Sequence, residues 1–179
     1  MRHLALSAIG RDRPGIVAAV SKVLLDHECN VEDSTMSILR GHFTMMLIVS
    51  VPDATDLESL RRGLDVVRDR LSLEAVTLSE VAEVAEETAV ASHILSVYGV
   101  DHPGILHAVA SALAADQVDI VDLTTRVLEE EGRASLYTMI LEVSVPEAVD
   151  LDSLQNELQR VCRDQRVDFS FGELERDIL

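Results

Sequence analysis

The chain states one pattern twice, and that repetition constrains its fold more than any other feature. Asp12-Arg13-Pro14-Gly15-Ile16 returns 89 residues later as Asp101-His102-Pro103-Gly104-Ile105. Further on, Thr44-Met45-Met46-Leu47-Ile48-Val49-Ser50-Val51-Pro52 returns 94 residues later as Thr138-Met139-Ile140-Leu141-Glu142-Val143-Ser144-Val145-Pro146. A 179-residue chain therefore holds two copies of one unit, with about five extra residues in the second. A repeat of this kind has to be settled before any other reading. Whatever the protein does should be sought in features that both copies share.

Each copy reads as strand, helix, strand, strand, helix, strand. In copy one, Arg2 to Ile9 alternates with period two, placing Leu4, Leu6 and Ala8 on one face. A helix is predicted from about Gly15 to Glu28, with Ile16, Val20, Val23 and Leu24 on one side. Copy two has Ile105, Val109, Ala112 and Leu113 at those places. Strands at Val31–Leu39 and Phe43–Val51 flank a tight Arg40-Gly41-His42 connection and should form a hairpin. A second helix starts after Pro52-Asp53-Ala54-Thr55-Asp56, where an acidic or hydroxyl side chain is available as N-cap. Its stripe, Leu57, Leu60, Leu64, Val67, Leu71, is matched by Leu151, Leu154, Leu158 and Val161, and departs at Gln165. A last strand runs from Leu73 to about Val81, and from Val167 to Leu174 in copy two. The order βαββαβ at this length is the ferredoxin-like arrangement, an α+β class with an antiparallel sheet and both helices on one face. The expected domains are 1–82 and 92–179, joined by a linker at 83–91. The extra residues of copy two fall in its hairpin, around Glu129-Glu130-Glu131-Gly132-Arg133.

Composition excludes several functions. The formal net charge is −17, and both halves are acidic, so neither carries the basic footprint of direct nucleic-acid binding. RNA-recognition folds share the βαββαβ order but stack bases on sheet aromatics; here only 3% of residues are aromatic, and the third strands offer Phe43 and Tyr137. No apolar run reaches the length of a membrane span and the N-terminus lacks a signal-peptide core, which leads to the expectation of a cytoplasmic chain. Cys29 and Cys162 stand at non-equivalent places and read as packing residues at the ends of helices. The six histidines lack metal-ligand spacing, with His102 and His107 five apart. No nucleophile–base pair, phosphate loop or dinucleotide fingerprint is present, so neither a catalytic centre nor a cofactor is expected.

Two repeated elements remain as candidates. In Asp12-Arg13-Pro14-Gly15-Ile16, proline suits a helix start and glycine leaves the backbone uncovered there. The free N–H groups and positive dipole end of a helix bind carboxylate or phosphate without any side chain. Asp12 is also placed to cap that helix. The structural alternative is that the motif only makes a good strand-to-helix turn. The second element is the start of strand two, Asn30-Val31-Glu32-Asp33, matched by Asp119-Ile120-Val121-Asp122. It is expected near the first loop, at the same end of the sheet, where Asn30 or Asp119 would hold an ammonium group. Its alternative role is simply to end the helix and turn the chain.

The loop, the Asn-Val strand start and the βαββαβ order resemble the ACT domain. Two in tandem resemble the glycine cleavage system transcriptional repressor group. The resemblance covers nearly the whole chain. It implies a non-enzymatic regulatory protein that binds an amino acid, of the glycine or serine class, at an interface between ACT units and relays it to a protein partner. It also implies homodimerisation, while the acidic charge argues against direct nucleic-acid contact and the lack of a long apolar run against a membrane span. The site residues carried over are Asp12, Arg13, Gly15, Ile16, Asn30 and Val31, with Asp101, His102, Gly104, Ile105, Asp119 and Ile120 in copy two. The copies differ where Arg13 becomes His102 and Asn30 becomes Asp119, which favours copy one as the amino-acid site. The alternatives are a ligand-free interaction scaffold, or an accessory subunit of an enzyme such as formyltetrahydrofolate deformylase, which resembles this chain in starting with such a module.

Overall fold

The computed structural model describes residues 1–81, 89–128 and 135–174. Most of the expected linker and the expected Glu129–Arg133 insertion lie outside the described residues. The chain divides into two compact units, Met1–Glu86 and Glu87–Leu179. The first contains β1 (Arg2–Arg11), α1 (Ile16–Asp26), β2 (Asn30–Leu39), β3 (His42–Val51), α2 (Leu57–Leu71) and β4 (Leu73–Val81). The second contains β5 (His93–Val100), α3 (Ile105–Ala115), β6 (Asp119–Leu128), β7 (Leu136–Ser144), α4 (Leu151–Asp164) and β8 (Val167–Glu173). Each is a four-stranded antiparallel sheet, in the orders β2-β3-β1-β4 and β6-β7-β5-β8. The ferredoxin-like expectation holds in both.

The period-two and helical patterns meet in each core. In unit one, Leu4, Leu6 and Ala8 of β1 and Phe43, Met45, Leu47 and Val49 of β3 are buried with Ile16, Val20 and Leu24 of α1 and Leu60, Leu64 and Val67 of α2. Unit two repeats this with Leu95, Val97, Met139, Leu141, Ile105, Val109, Leu113, Leu154 and Leu158. The stripe frays at its ends: Leu151 is exposed. Phe43 and Tyr137 are both buried in the cores, so neither offers a stacking platform for a base.

Local chemistry explains the boundaries. Asp56 accepts a hydrogen bond from the Glu58 N–H at 3.0 Å, so α2 is capped as expected, and Asp150 caps α4 in the same way, accepting from the Asp152 N–H at 3.2 Å. Arg40 and Gly41 both have positive φ, 48° and 83°, as a two-residue hairpin turn compatible with strand twist requires. Cys29 lies just past α1, and Cys162 lies inside α4 rather than ending it; both are free thiols. Burial pushes the Cys162 thiol up to about 11, so it stays protonated and inert at neutral pH.

Leu6 and Leu95 are fully buried at matching places on the two central strands. Truncating either to alanine is expected to cost ~2–5 kcal/mol. Chemical denaturation of Leu6→Ala and Leu95→Ala measures this, and a loss below ~1 kcal/mol in either would contradict the assigned core.

Candidate ligand-binding loops

Each first loop is built by a glycine in the left-handed region. Gly15, with φ 97°, is the N-cap of α1, and Gly104, with φ 108°, is the N-cap of α3. An L-residue there would be strained by roughly 1–2 kcal/mol. Neither helix has a side-chain cap. The expectation that Asp12 caps its helix is therefore corrected: the glycine takes the cap position, three residues beyond the aspartate. Asp12 instead donates its own N–H to the Gly41 carbonyl at 2.9 Å, and Asp101 donates its N–H to the Ser135 carbonyl at 2.9 Å, tying each loop to the neighbouring hairpin. Ile16 and Ile105 are buried and anchor the helix starts in the cores.

The placement of the second element is also corrected. Asn30 pairs with Ser50 of β3, and Ser50 pairs with His3 at the beginning of β1. The loop follows Arg11, at the opposite end of β1, which is level with His42 and Leu39. Eight residues of strand separate those levels, roughly 26 Å at the ordinary rise. Unit two is the same: Asp119 pairs with Ser144 beyond the β5 start, while the loop follows Val100. The reason is topological. Both β1 and β2 run antiparallel to β3, so they run parallel to each other and start at the same end. Within a unit the structure thus gathers Asp12, Arg13, Gly15 and Ile16, and separately Asn30 and Val31, but not the two sets. In unit two it gathers Asp101, His102, Gly104 and Ile105 apart from Asp119 and Ile120. The strand starts are exposed and each carries a register shift, between Val31 and Asp33 and between Ile120 and Asp122. In unit one Glu32 reaches the His3 ring, with 3.3 Å between Oε2 and Nε2.

The loops themselves differ in what touches them. A Cβ built on Gly15 would meet nothing within 4 Å. One on Gly104 would meet the Gln165 side-chain oxygen at 3.5 Å. Arg13 makes no hydrogen bond or ion pair among the described residues. His102 makes two contacts, Nε2 to the Gln165 carbonyl at 2.6 Å and Nδ1 to the Pro103 carbonyl at 3.1 Å. The Gln165 carbonyl, then that of Pro103, and then the Asp101 charge hold the His102 imidazolium above its ordinary pKa, against slight burial and Arg166. Sequence reasoning missed Gln165. Its signal was the break of the apolar stripe where copy one has Leu71.

Two clefts elsewhere contain none of these residues. One of about 260 Å³ lies between α2 and β4, lined by Arg61, Leu64, Asp65 and Val76–Leu78. The other, of about 330 Å³, lies between α4 and β8, lined by Asp152, Gln155, Asn156, Gln159 and Phe169. Both are open and polar, and on the far side of each sheet from β2 or β6. Among the described residues no group of three or more His, Cys, Asp or Glu side chains gathers to hold a metal. No described helix is long and apolar enough to cross a membrane.

Paired βαββαβ units, each opening its first helix on an Asp-x-Pro-Gly-Ile loop, define a class of tandem small-domain proteins. The ACT domain matches residues 2–77 and again 93–172, and the chain belongs to that family. The crystal structure of an unknown protein from Galdieria sulphuraria superposes with a TM-score of 0.80 at 28% identity, over 97% of this chain and 99% of that one. The glycine cleavage system transcriptional repressor of Escherichia coli is 24% identical over 168 residues, covering 89% of this chain and 84% of that protein. A single-unit relative, a UPF0237 protein of Methanopyrus kandleri, is 35% identical over 81 residues, 45% of this chain and 90% of that protein.

Two predictions follow from the loops. Folding favours the protonated His102, because its folded pKa lies above the ordinary 6.5. Its contribution is therefore complete below about pH 6.5 and is lost as pH rises through the folded pKa. His102→Ala should be less stable than the wild type near pH ~5.5, with the difference narrowing near pH ~9, where the neutral ring keeps one donor; a pH-independent difference would contradict the two contacts. Gly15→Ala should lose ~1–2 kcal/mol from backbone strain alone, since no atom opposes the added methyl. Urea denaturation reads that difference.

Proposed function

We propose that this chain is a non-enzymatic regulatory protein that binds a small amino acid, of the glycine or serine class, and passes the binding energy to a protein partner. The observation that carries the reading is the pair of left-handed glycines opening α1 and α3 within ACT units. At a helix start without a side-chain cap, backbone N–H groups remain for a ligand carboxylate, and the dipole favours negative charge. In unit one, Arg13 adds a guanidinium that has no partner among the described residues. The ligand-binding residues proposed are Asp12, Arg13, Gly15 and Ile16 with Asn30 and Val31, and their counterparts Asp101, His102, Gly104 and Ile105 with Asp119 and Ile120.

The separation of loop and strand start adds a condition. One unit cannot close both sets of groups on a single small ligand, because some 26 Å of strand lies between them. A ligand touched by both has to take the loop of one ACT unit and the strand start of another, in the same chain or in a second copy. That arrangement makes regulation a matter of linkage: a ligand that bridges two units stabilises the packing that forms its site, by as much as its affinity differs between packings. An overall charge of −17 directs any regulatory output through a protein partner rather than nucleic acid.

A thermal-shift screen against the common amino acids tests the reading. A ligand at 100 times its dissociation constant should add ~2.7 kcal/mol of stability. The shift should persist in Gly15→Ala, which has the strain without bulk, and disappear in Gly15→Trp, which has both. No shift with any amino acid on folded protein would sink the proposal and leave an interaction scaffold.

A further inference from the structure

We propose that the two loops are not equivalent receptors: the second is latched shut by the C-terminal turn of α4 through His102 and Gln165, so that each chain offers one open loop, Arg13–Gly15. This rests on the reading of the loops as carboxylate receptors and assigns their stoichiometry and control.

The latch has two parts. The first is the His102 ring, placed between two carbonyl oxygens, Gln165 O at 2.6 Å from Nε2 and Pro103 O at 3.1 Å from Nδ1. A carbonyl only accepts, so both ring nitrogens must carry a proton, which only the imidazolium does. Gln165 is also the C-cap of α4, where unpaired carbonyls and the negative dipole end attract a cation. The charged groups facing the ring are Asp101, which favours the imidazolium, and Arg166, which opposes it. The second part is the Gln165 side chain. Its oxygen lies 3.5 Å from where a Cβ of Gly104 would stand, over the backbone that a ligand would approach. The positive charge of the second loop is thereby spent on α4, and its glycine is covered.

Neither part exists in the first unit. Arg13 stands where His102 does and has no partner among the described residues. Leu71 stands where Gln165 does, packed against the core and without a side-chain acceptor. The space over Gly15 is open. The loop backbones themselves match, at φ 97° and 108° with hairpin tethers of 2.9 Å each, so the loops differ in the side chains around them. Deprotonating His102 removes one of its two donors, so the latch loosens as pH rises.

The test uses the full chain and two readouts. The first needs no ligand: amide hydrogen exchange at Gly104–Leu106 should be at least tenfold slower than at Gly15–Val17 near pH 6. The contrast should shrink near pH 9, and in the double variant His102→Arg with Gln165→Leu, which restores the unit-one residues. The second is calorimetric titration with glycine and with L-serine. The wild type should bind one molecule per chain and the double variant two, while Gly15→Trp should reduce each count by one. Equal exchange at the two loops, or two equivalent sites in the wild type, would overturn the latch and leave the receptor reading standing. Unequal exchange with no binding of either amino acid would keep the latch as a structural feature and overturn its role in limiting ligand.

Discussion

The insertion of β3 between β1 and β2 governs the rest of each unit. Once β3 pairs antiparallel with both, β1 and β2 must run the same way, and α1 has to cross back over the sheet to join them. That return presses Ile16, Val20 and Leu24 onto the apolar side of β1 and β3, where Leu4, Leu6, Phe43 and Leu47 lie. The same crossing sends the Asp-x-Pro-Gly loop to one end of the sheet and the strand start to the other. Core packing and the division of the candidate site into two remote halves are consequences of one pairing pattern.

That pattern also leaves β2 and β6 as sheet edges. Every residue of β2 is exposed, and Met36, Ile38 and Leu39 present apolar surface there. An unpaired edge is a template for another strand. Both edges carry a register shift near their beginnings, at matching places in the repeat, and such irregularities twist an edge and interrupt pairing. The shifts sit beside Asn30 and Asp119, so the proposed strand-start residues lie next to a local irregularity of each edge.

The repeat is preserved most faithfully in its backbone. Glu28 and Gln117 share a φ of 56°, and Ser72 and Arg166 follow at 50° and 56°, each ending a helix in the left-handed region. Divergence falls on side chains at the loop ends: Arg13 against His102, Leu71 against Gln165, Asn30 against Asp119. A fold held by buried aliphatic residues tolerates such changes, since none of these positions lies among the fully buried residues. The two units can keep one architecture while presenting different chemistry.

Element order, core stripes, the α2 cap and the hairpin turn were legible in the sequence because each depends on neighbours within one or two turns of chain. Period-two alternation marked β1, the 3–4 spacing of leucines marked α2 and α4, and the run ending in Asp56 announced α2. Gly15 and Gly104 were legible as special positions, although the mistaken capping role for Asp12 shows that composition alone does not assign the cap. Only tertiary structure decided where Asn30 lies relative to Gly15, because strand order is set by pairing between segments far apart in sequence. Only tertiary structure joined His102 to Gln165, 63 residues away, and left Arg13 without a partner among the described residues. Those contacts follow from how α4 packs beside its sheet, and no local pattern encodes the geometry of that docking.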